Sequence, residues 1–178
     1  LHLVIRRQRQ MCIRDSVQFA FLAELGGADS ITVHLREDRR HIQDRDVFLL
    51  KETIKTKLNL EMAATKEMLE IAKKLVPDYV TLVPEKREEV TTEGGLDVKG
   101  NVNYLKNFVE NLKDSNIEVS AFIDPLGEQI NCSKEIGFNF IELHTGKYAE
   151  LTGYEQHKEL QRIIESTHLA NDLGLVVN

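Results

Sequence analysis

Short apolar segments of strand length alternate along this chain with longer segments that carry a helical stripe of apolar residues. The stripes repeat at the three- and four-residue spacing that places side chains on one face of a helix. Such stripes occupy residues 68–76, 104–112 and 160–167. The strand-length segments are residues 31–35, 58–62, 79–83, 117–123, 138–143 and 175–177. This alternation predicts a parallel β/α architecture, because parallel strands need a crossover connection between them.

Two parallel architectures fit this alternation, an open doubly wound sheet and a (β/α)8 TIM barrel. No Gly-x-Gly-x-x-Gly motif follows the first predicted strand, which disfavours the dinucleotide-binding form of the open sheet. Titratable residues instead follow the predicted strands at their carboxyl ends, where barrel enzymes carry catalytic groups. These residues are His34, Arg36, Glu61, Glu85, Lys86, Asp124, Glu142 and His144. A complete barrel has eight strands and about 250 residues. We therefore predict an incomplete TIM barrel with about six of the eight β/α units.

Composition limits the classes of protein that this chain can represent. The 178 residues are 42% hydrophobic and 29% charged, which is typical of a globular domain with its own core. The net charge of −6 argues against a general nucleic-acid-binding surface. No apolar segment is long enough to cross a bilayer, and Cys12 and Cys132 are too few for a disulfide scaffold. We expect a cytoplasmic protein without a nucleic-acid or membrane partner.

Residues 1–16 differ in character from the rest of the chain. They carry four arginines and one aspartate, a net charge of +3, and show neither strand alternation nor a helical face. A basic arm that binds an anion is one interpretation of this segment. A disordered tail or a spurious start is the interpretation that we favour. We expect residues 17–178 to form a partial TIM-barrel catalytic domain.

The segment 33–42 leaves a predicted strand end and is the strongest candidate for chemistry. His34 titrates near neutral pH and can exchange protons. Arg36 offers a planar fork for phosphate, and His41 offers a second donor. Strand parity directs His34 and Arg36 into the mouth of the barrel, which favours a functional role for both. The remaining arginines of this region are expected to pair with nearby acids: Arg39, Arg40 and Arg45.

Glu61 lies among apolar residues of a predicted strand. Burial there should raise the pKa of its carboxyl group, which suits a general acid or base. A structural carboxylate bonded to an Asn or Arg of a neighbouring strand is an equally supported interpretation. The long polar loop after Pro84 is typical of a lid or binding loop. Within it, Thr91 or Thr92 can donate a hydrogen bond to a phosphate or hydroxyl group.

Three further features allow more than one interpretation. His144 either binds substrate or bonds to its neighbours and orients the site. His34, Glu61 and His144 are conceivable metal ligands, but they lack the short spacing of metal sites, so we expect no metal. Thr65 and Thr152 stand where helix-capping residues belong, and the latter begins a capping-box pattern.

Five segments together closely resemble pyridoxine 5′-phosphate synthases: residues 27–42, 59–63, 82–87, 89–98 and 140–146. The resemblance runs in order from near Val17 to Asn178. It implies a (β/α)8 barrel and a transferase of vitamin B6 biosynthesis. That enzyme condenses 3-amino-2-oxopropyl phosphate with 1-deoxy-D-xylulose 5-phosphate to give pyridoxine 5′-phosphate, inorganic phosphate and water. The resemblance also implies that no metal or organic cofactor takes part and that the enzyme is a homo-oligomer.

The resemblance assigns roles to five positions. His34 corresponds to a proton acceptor of the family, and Glu61 corresponds to a second one. Arg36, His41 and Thr91 correspond to contacts with 1-deoxy-D-xylulose 5-phosphate. The partners that it implies are therefore small phosphorylated substrates.

The chain departs from the family pattern at both ends. Residues 1–16 lack the family's Asn-x-Asp-His pattern and the substrate-binding Arg that follows it. The Gly-His-Gly segment that carries the family's proton-donor His lies beyond Asn178. We therefore expect residues 1–178 alone to be inactive or unstable.

Two other classes of function are compatible with the sequence. One is another phosphosugar-binding TIM-barrel enzyme, an epimerase or an aldolase. An aldolase that forms an imine needs a lysine at a strand end, and Lys86 is the one candidate. The other class is a binding module that binds RNA through residues 36–45. The acids interleaved in this segment and the negative net charge both argue against it.

Overall fold

The computed structural model describes residues 16–85 and 94–178. The strands of this part are β1 (Ser30–His34), β2 (Lys57–Met62), β3 (Tyr79–Leu82), β4 (Glu118–Ile123), β5 (Phe140–Leu143) and β6 (Val176–Val177). The helices are α1 (Ser16–Leu25), α2 (Asp44–Thr53), α3 (Lys66–Leu75), α4 (Val102–Lys113), α5 (Gly127–Ile136), α6 (Gly146–Glu150) and α7 (Gly153–Asp172). A 3-10 turn, Lys99–Asn101, precedes α4. Each predicted strand is confirmed, with its ends within two residues of the prediction. Of the segment 1–16, only Ser16 is described, and it begins α1.

The six strands form one sheet in the order β1-β2-β3-β4-β5-β6. All five neighbouring pairs are parallel. A doubly wound sheet reverses its strand order at a switch point, whereas a barrel adds each new strand beside the previous one. The sequential order therefore confirms the predicted incomplete TIM barrel.

The two faces of the sheet differ in chemistry, because successive side chains of a strand point to opposite faces. One face is apolar and belongs to the hydrophobic core that the helices complete. Its fully buried members include Leu58, Leu60, Val80, Leu82, Val119, Ala121 and Ile141. The other face carries the alternate residues and is mostly polar. Its members include Thr32, Asn59, Glu61, Thr81 and Glu142. This polar face positions the site.

Local signals explain where several helices begin and end. The Thr65 hydroxyl accepts a hydrogen bond from the Met68 amide at 3.4 Å, so the predicted cap of α3 is confirmed. Thr152 does precede α7, but its side chain makes no capping hydrogen bond, so the predicted capping box is wrong. Gly153 has a left-handed φ of 60°, which moves the first turn away from capping-box geometry. Gly137 ends α5 with a left-handed φ of 99°, which glycine adopts without strain.

In residues 16–85 and 94–178, no helix combines the length and the apolar character that a bilayer crossing requires.

Candidate active site

The carboxyl ends of β1 and β2 bring two predicted catalytic residues together. The strand register places His34 opposite Glu61, so both side chains lie on the polar face of the sheet. The His34 Nδ1 atom lies 3.9 Å from the Glu61 Oε2 atom. That separation is too long for a hydrogen bond, and it leaves both groups free to act on a molecule placed above them.

Glu85 approaches His34 from the opposite side of the imidazole ring. Its side chain is only 1% exposed, and its Oε2 atom lies 3.7 Å from the His34 Nε2 atom. Its Oε1 atom accepts a hydrogen bond from the Glu37 amide at 2.9 Å. The sequence places Glu85 near a strand end but assigns it no role. The signal that identifies it is its position three residues after the end of β3, at the same edge of the sheet as the ends of β1 and β2.

Arg36 leaves β1 two residues after His34, and its side chain is only 8% exposed. The Arg36 Nε atom lies 3.3 Å from the Asp38 Oδ1 atom and 3.6 Å from the Glu85 Oε1 atom. The guanidinium group is therefore buried beside His34, as strand parity predicts. We refer to the four residues His34, Arg36, Glu61 and Glu85 as the β1–β3 cluster.

The other arginines of this region form the carboxylate pairs predicted from composition. Arg39 pairs with Asp44 at 2.6 Å, Arg40 with Asp38 at 3.1 Å, and Arg45 with Asp46 at 3.3 Å. This prediction is confirmed.

Burial sets the protonation behaviour of the β1–β3 cluster. It raises the pKa of Glu61, and the nearby charge of Glu142 raises it further. The predicted direction of this pKa shift is confirmed. Burial also lowers the pKa of His34, with the positive charge of Arg36 as the second cause. Within residues 16–85 and 94–178, no Asn or Arg side chain bonds to the Glu61 carboxylate. Glu61 is thus a stronger base than an exposed glutamate, and His34 stays neutral at lower pH than an exposed histidine.

A second imidazole–carboxylate pair lies at the ends of β4 and β5. The His144 Nδ1 atom lies 3.0 Å from the Asp124 Oδ1 atom, within hydrogen-bond distance. The Phe122 ring packs edge-on against the imidazole, with 5.2 Å between ring centroids. We refer to Phe122, Asp124 and His144 as the β4–β5 cluster. Its geometry favours the interpretation that His144 bonds to its neighbours and orients the site.

His41, a predicted substrate contact, lies apart from the β1–β3 cluster. His41 is exposed and borders a depression beside α1, together with Ala20 and Ile42. Its charge still reaches His34, where it contributes to lowering the imidazole pKa. Thr91, and with it Lys86, lies outside the described residues. Among the residues that the structure describes, no group of three or more His, Cys, Asp or Glu side chains is arranged to hold a metal ion.

The polar face borders a cavity of about 800 Å³. A chain of hydrogen bonds crosses this face. The Thr81 hydroxyl donates to the Asn59 Oδ1 atom at 3.1 Å, and the Asn59 amide donates to the Thr32 hydroxyl at 3.3 Å. Glu142 also lines the cavity. The lining also includes Ser30 and Lys57 at the amino ends of β1 and β2, and it includes none of the four residues of the β1–β3 cluster. The cavity therefore lies along the face of the sheet, beside the cluster rather than around it.

Similarity to solved structures extends over nearly the whole chain at low sequence identity. A variant of the citrate synthase SbnG matches with a TM-score of 0.57 at 11% identity, over 90% of this chain and 70% of that one. Phosphoribosyl anthranilate isomerase from Thermus thermophilus matches with a TM-score of 0.53 at 14% identity, over 90% of this chain and 80% of that one. At such identities the matches show the barrel-type fold and nothing about the reaction.

Sequence relatives are much closer. A pyridoxine 5′-phosphate synthase of Prochlorococcus marinus (strain MIT 9312) is 87% identical over 174 residues, which are 98% of this chain and 73% of the relative. The Synechocystis sp. protein of the same name is 59% identical over 176 residues, again 98% of this chain and 73% of the relative. The family model described as pyridoxal phosphate biosynthesis protein PdxJ matches residues 3–178, so the match extends into the segment 1–16. The chain therefore belongs to the PdxJ family.

Proposed function

We propose that this chain forms the sugar-phosphate half of a pyridoxine 5′-phosphate synthase site. The reaction joins 3-amino-2-oxopropyl phosphate to 1-deoxy-D-xylulose 5-phosphate and yields pyridoxine 5′-phosphate, inorganic phosphate and water. Membership of the PdxJ family and the 87% identical synthase support this activity. The observation that carries the assignment to this site is the placement of His34 beside Glu61 at the carboxyl ends of adjacent strands.

His34 and Glu61 act as proton acceptors in this proposal. Imine formation, elimination of water and ring closure each move protons, so the reaction needs several acid–base groups around one substrate. Burial keeps His34 neutral by lowering its pKa, and it strengthens Glu61 as a base by raising the carboxyl pKa. General acid–base chemistry of this kind needs no metal or organic cofactor.

Arg36 binds the phosphate of 1-deoxy-D-xylulose 5-phosphate, with His41 and Thr91 as further contacts. The support for Arg36 is its burial beside His34, because a dianion held there lies close to the two acceptors. The carboxylates of Asp38 and Glu85 fix one edge of its guanidinium group. A Lys substitution keeps the charge but loses this planar geometry.

The partners in this proposal are the two small phosphorylated substrates, with no nucleic acid and no membrane. We also propose that the protein is a homo-oligomer and that it acts in the cytoplasm. The homo-oligomer comes from the resemblance to the family, whereas the cytoplasmic setting comes from the composition. Sedimentation of the purified protein checks the oligomeric state.

Turnover is best tested in a chimera in which residues 17–178 replace the matching part of the 87% identical relative. We expect pyridoxine 5′-phosphate to form from the two substrates, and His34→Gln to lower kcat by about 10²–10⁴-fold. His168→Gln, on the exposed side of α7, is the matched control and should keep the activity. No product from the unsubstituted chimera, or full activity in the His34 variant, would refute the assignment.

Binding to the full chain is a second test that does not depend on turnover. Calorimetric titration with 1-deoxy-D-xylulose 5-phosphate should give saturable binding, and Arg36→Lys should weaken it by about tenfold or more, since a buried charge-assisted contact contributes about 1.5–3 kcal/mol. Equal affinity in the Lys variant would show that Arg36 does not hold the phosphate.

A further inference from the structure

The Glu85 carboxylate joins three groups of the segment that leaves β1. Glu85 lies in the loop after β3. Its Oε1 atom accepts a hydrogen bond from the Glu37 amide at 2.9 Å and lies 3.6 Å from the Arg36 Nε atom. Its Oε2 atom lies 3.7 Å from the His34 Nε2 atom. One nearly inaccessible carboxylate therefore contacts both the proposed proton acceptor and the proposed phosphate-binding arginine.

The contact between Glu85 and His34 has an electrostatic consequence. Both the His34 Nε2 and the Glu85 Oε2 atoms are buried, and neither has a hydrogen-bond partner among the described residues. A neutral imidazole carries a proton on one nitrogen and a lone pair on the other. A lone pair on Nε2 would face the lone pairs of Glu85, whereas a proton on Nε2 would face a negative charge. The Glu61 carboxylate faces Nδ1 at a similar distance, but the Glu61 side chain is 24% exposed and water screens its charge, whereas the Glu85 side chain is 1% exposed. The geometry therefore favours the tautomer with the proton on Nε2.

We propose that Glu85 is a positioning residue that holds the His34 proton on Nε2, so that Nδ1 is the proton-accepting atom. This inference rests on the proposed role of His34 and extends it to a particular nitrogen. Nδ1 is the ring atom that faces Glu61, at 3.9 Å. The accepting lone pair and the Glu61 carboxylate thus lie on the same side of the ring. The same carboxylate places Arg36, which fixes the phosphate-binding group relative to the base.

The charged groups around His34 come from three elements. Its own segment contributes Arg36, Asp38 and His41, while Glu61 comes from β2 and Glu85 from the loop after β3. Burial raises the pKa of Glu85, whereas the Glu37 amide and the Arg36 guanidinium act in the opposite direction. Those two donors meet Oε1 and oppose the rise in the pKa of Glu85, and the negative charge of the ionised carboxylate is what favours a proton on the facing Nε2.

Nuclear magnetic resonance tests the inference directly. The full chain is labelled with ¹⁵N at histidine, and long-range ¹H–¹⁵N correlations at pH 7.5 report which ring nitrogen carries the proton. The His34 signals are identified by their loss in His34→Gln. We expect a protonated Nε2 and an unprotonated Nδ1. Predominant protonation of Nδ1 in the unsubstituted chain would overturn the inference.

Glu85→Gln sharpens the test, because a glutamine amide of the same shape can donate to Nε2. We expect the ratio of the two His34 tautomers to move toward the Nδ1-protonated form by about tenfold or more, because the negative charge that faces Nε2 is lost. Glu128→Gln removes an exposed carboxylate that pairs with Lys99 at 2.6 Å, and it should leave the ratio unchanged. An unchanged ratio in a folded Glu85 variant contradicts the inference.

The two proposals fail in different ways. If the chain does not bind 1-deoxy-D-xylulose 5-phosphate but His34 carries its proton on Nε2, the positioning role stands and the substrate assignment falls. If the sugar phosphate binds but Nδ1 carries the proton, the positioning role falls and the substrate assignment stands. If Glu85→Gln does not fold, the tautomer of the unsubstituted chain still decides.

Discussion

The β1–β3 cluster and the β4–β5 cluster both contain an imidazole beside a carboxylate, but the two groups are hydrogen-bonded to each other only in the β4–β5 cluster. In the β4–β5 cluster, the imidazole and carboxylate of His144 and Asp124 lie 3.0 Å apart and bond to each other. In the β1–β3 cluster, the carboxylates of Glu61 and Glu85 stop 3.9 Å and 3.7 Å from the imidazole of His34. A bonded pair contributes to stability, whereas buried polar groups without partners cost stability. Under the proposed function, the β1–β3 cluster is the one that exchanges protons, and the β4–β5 cluster supports the structure around it.

The largest effect is expected from Glu61→Gln. The glutamine keeps the shape of the side chain but cannot accept a proton, so kcat in the chimera should fall by about 10²–10⁴-fold. KM for the sugar phosphate should change little, because Arg36 is the proposed phosphate contact. Steady-state kinetics separate the two parameters, and a loss confined to KM would show that Glu61 binds substrate without exchanging a proton.

Gly95→Ala should damage the β4–β5 cluster through the backbone. A Cβ atom at Gly95 would overlap with the Asp124 amide nitrogen and with the carbonyl carbon of Ile123, neither of which can rotate away. We expect the free energy of unfolding to fall by about 1–3 kcal/mol, as overpacking does elsewhere. Gly127→Ala is the control, since its Cβ atom would meet only the flexible end of Leu169. Denaturant unfolding measures both variants, and equal stabilities would contradict the expected overlap.

A smaller effect is expected in the dependence of the free energy of unfolding on pH, to which the shifted pKa values of Glu61 and His34 contribute. The folded-state pKa of Glu61 is raised above its ordinary value of 4.5. Its contribution to stability is therefore fully present below pH 4.5 and is lost as pH rises through the folded-state pKa, with a slope of at most about 1.4 kcal/mol per pH unit. Glu61→Gln removes this loss, so the variant should gain stability relative to the unsubstituted chain as pH rises from 4 to 8.

His34 should act in the opposite direction, because its folded-state pKa is lowered from 6.5. Its contribution is present above pH 6.5 and is lost as pH falls through the folded-state pKa. Unfolding curves at a series of pH values test both signs. A difference between the Glu61 variant and the unsubstituted chain that stays constant with pH would contradict the raised pKa of Glu61.

The smallest effect is expected from Asp124→Asn. Asparagine can still accept a hydrogen bond from His144, but the bond loses its ionic character. We expect the free energy of unfolding to fall by about 0.5–1.5 kcal/mol and kcat in the chimera to stay within about threefold. A loss of kcat comparable to that of Glu61→Gln would show that the β4–β5 cluster takes part in the reaction, and it would contradict the proposed difference between the clusters.

Sequence periodicity predicts the fold and part of the site. Alternation along a strand fixes which side each residue faces, so the shared face of His34 and Glu61 follows from parity once the strands are placed. The role of Glu85 does not follow, because its burial depends on the approach of the loop after β1, which no local pattern encodes. The bond between Asp124 and His144 joins residues 20 positions apart, through the ends of two strands. Thr152 shows the limit of a local motif, since the left-handed Gly153 overrides its capping pattern.

Turnover by His34→Gln and His144→Gln variants of the chimera, measured side by side, tests the central contrast most directly. The substitution is the same, and both imidazoles lie at strand ends of the same sheet. We expect kcat to fall by about 10²–10⁴-fold in the His34 variant and by less than about tenfold in the His144 variant. Equal losses in the two variants, or a larger loss at His144, would contradict this expectation.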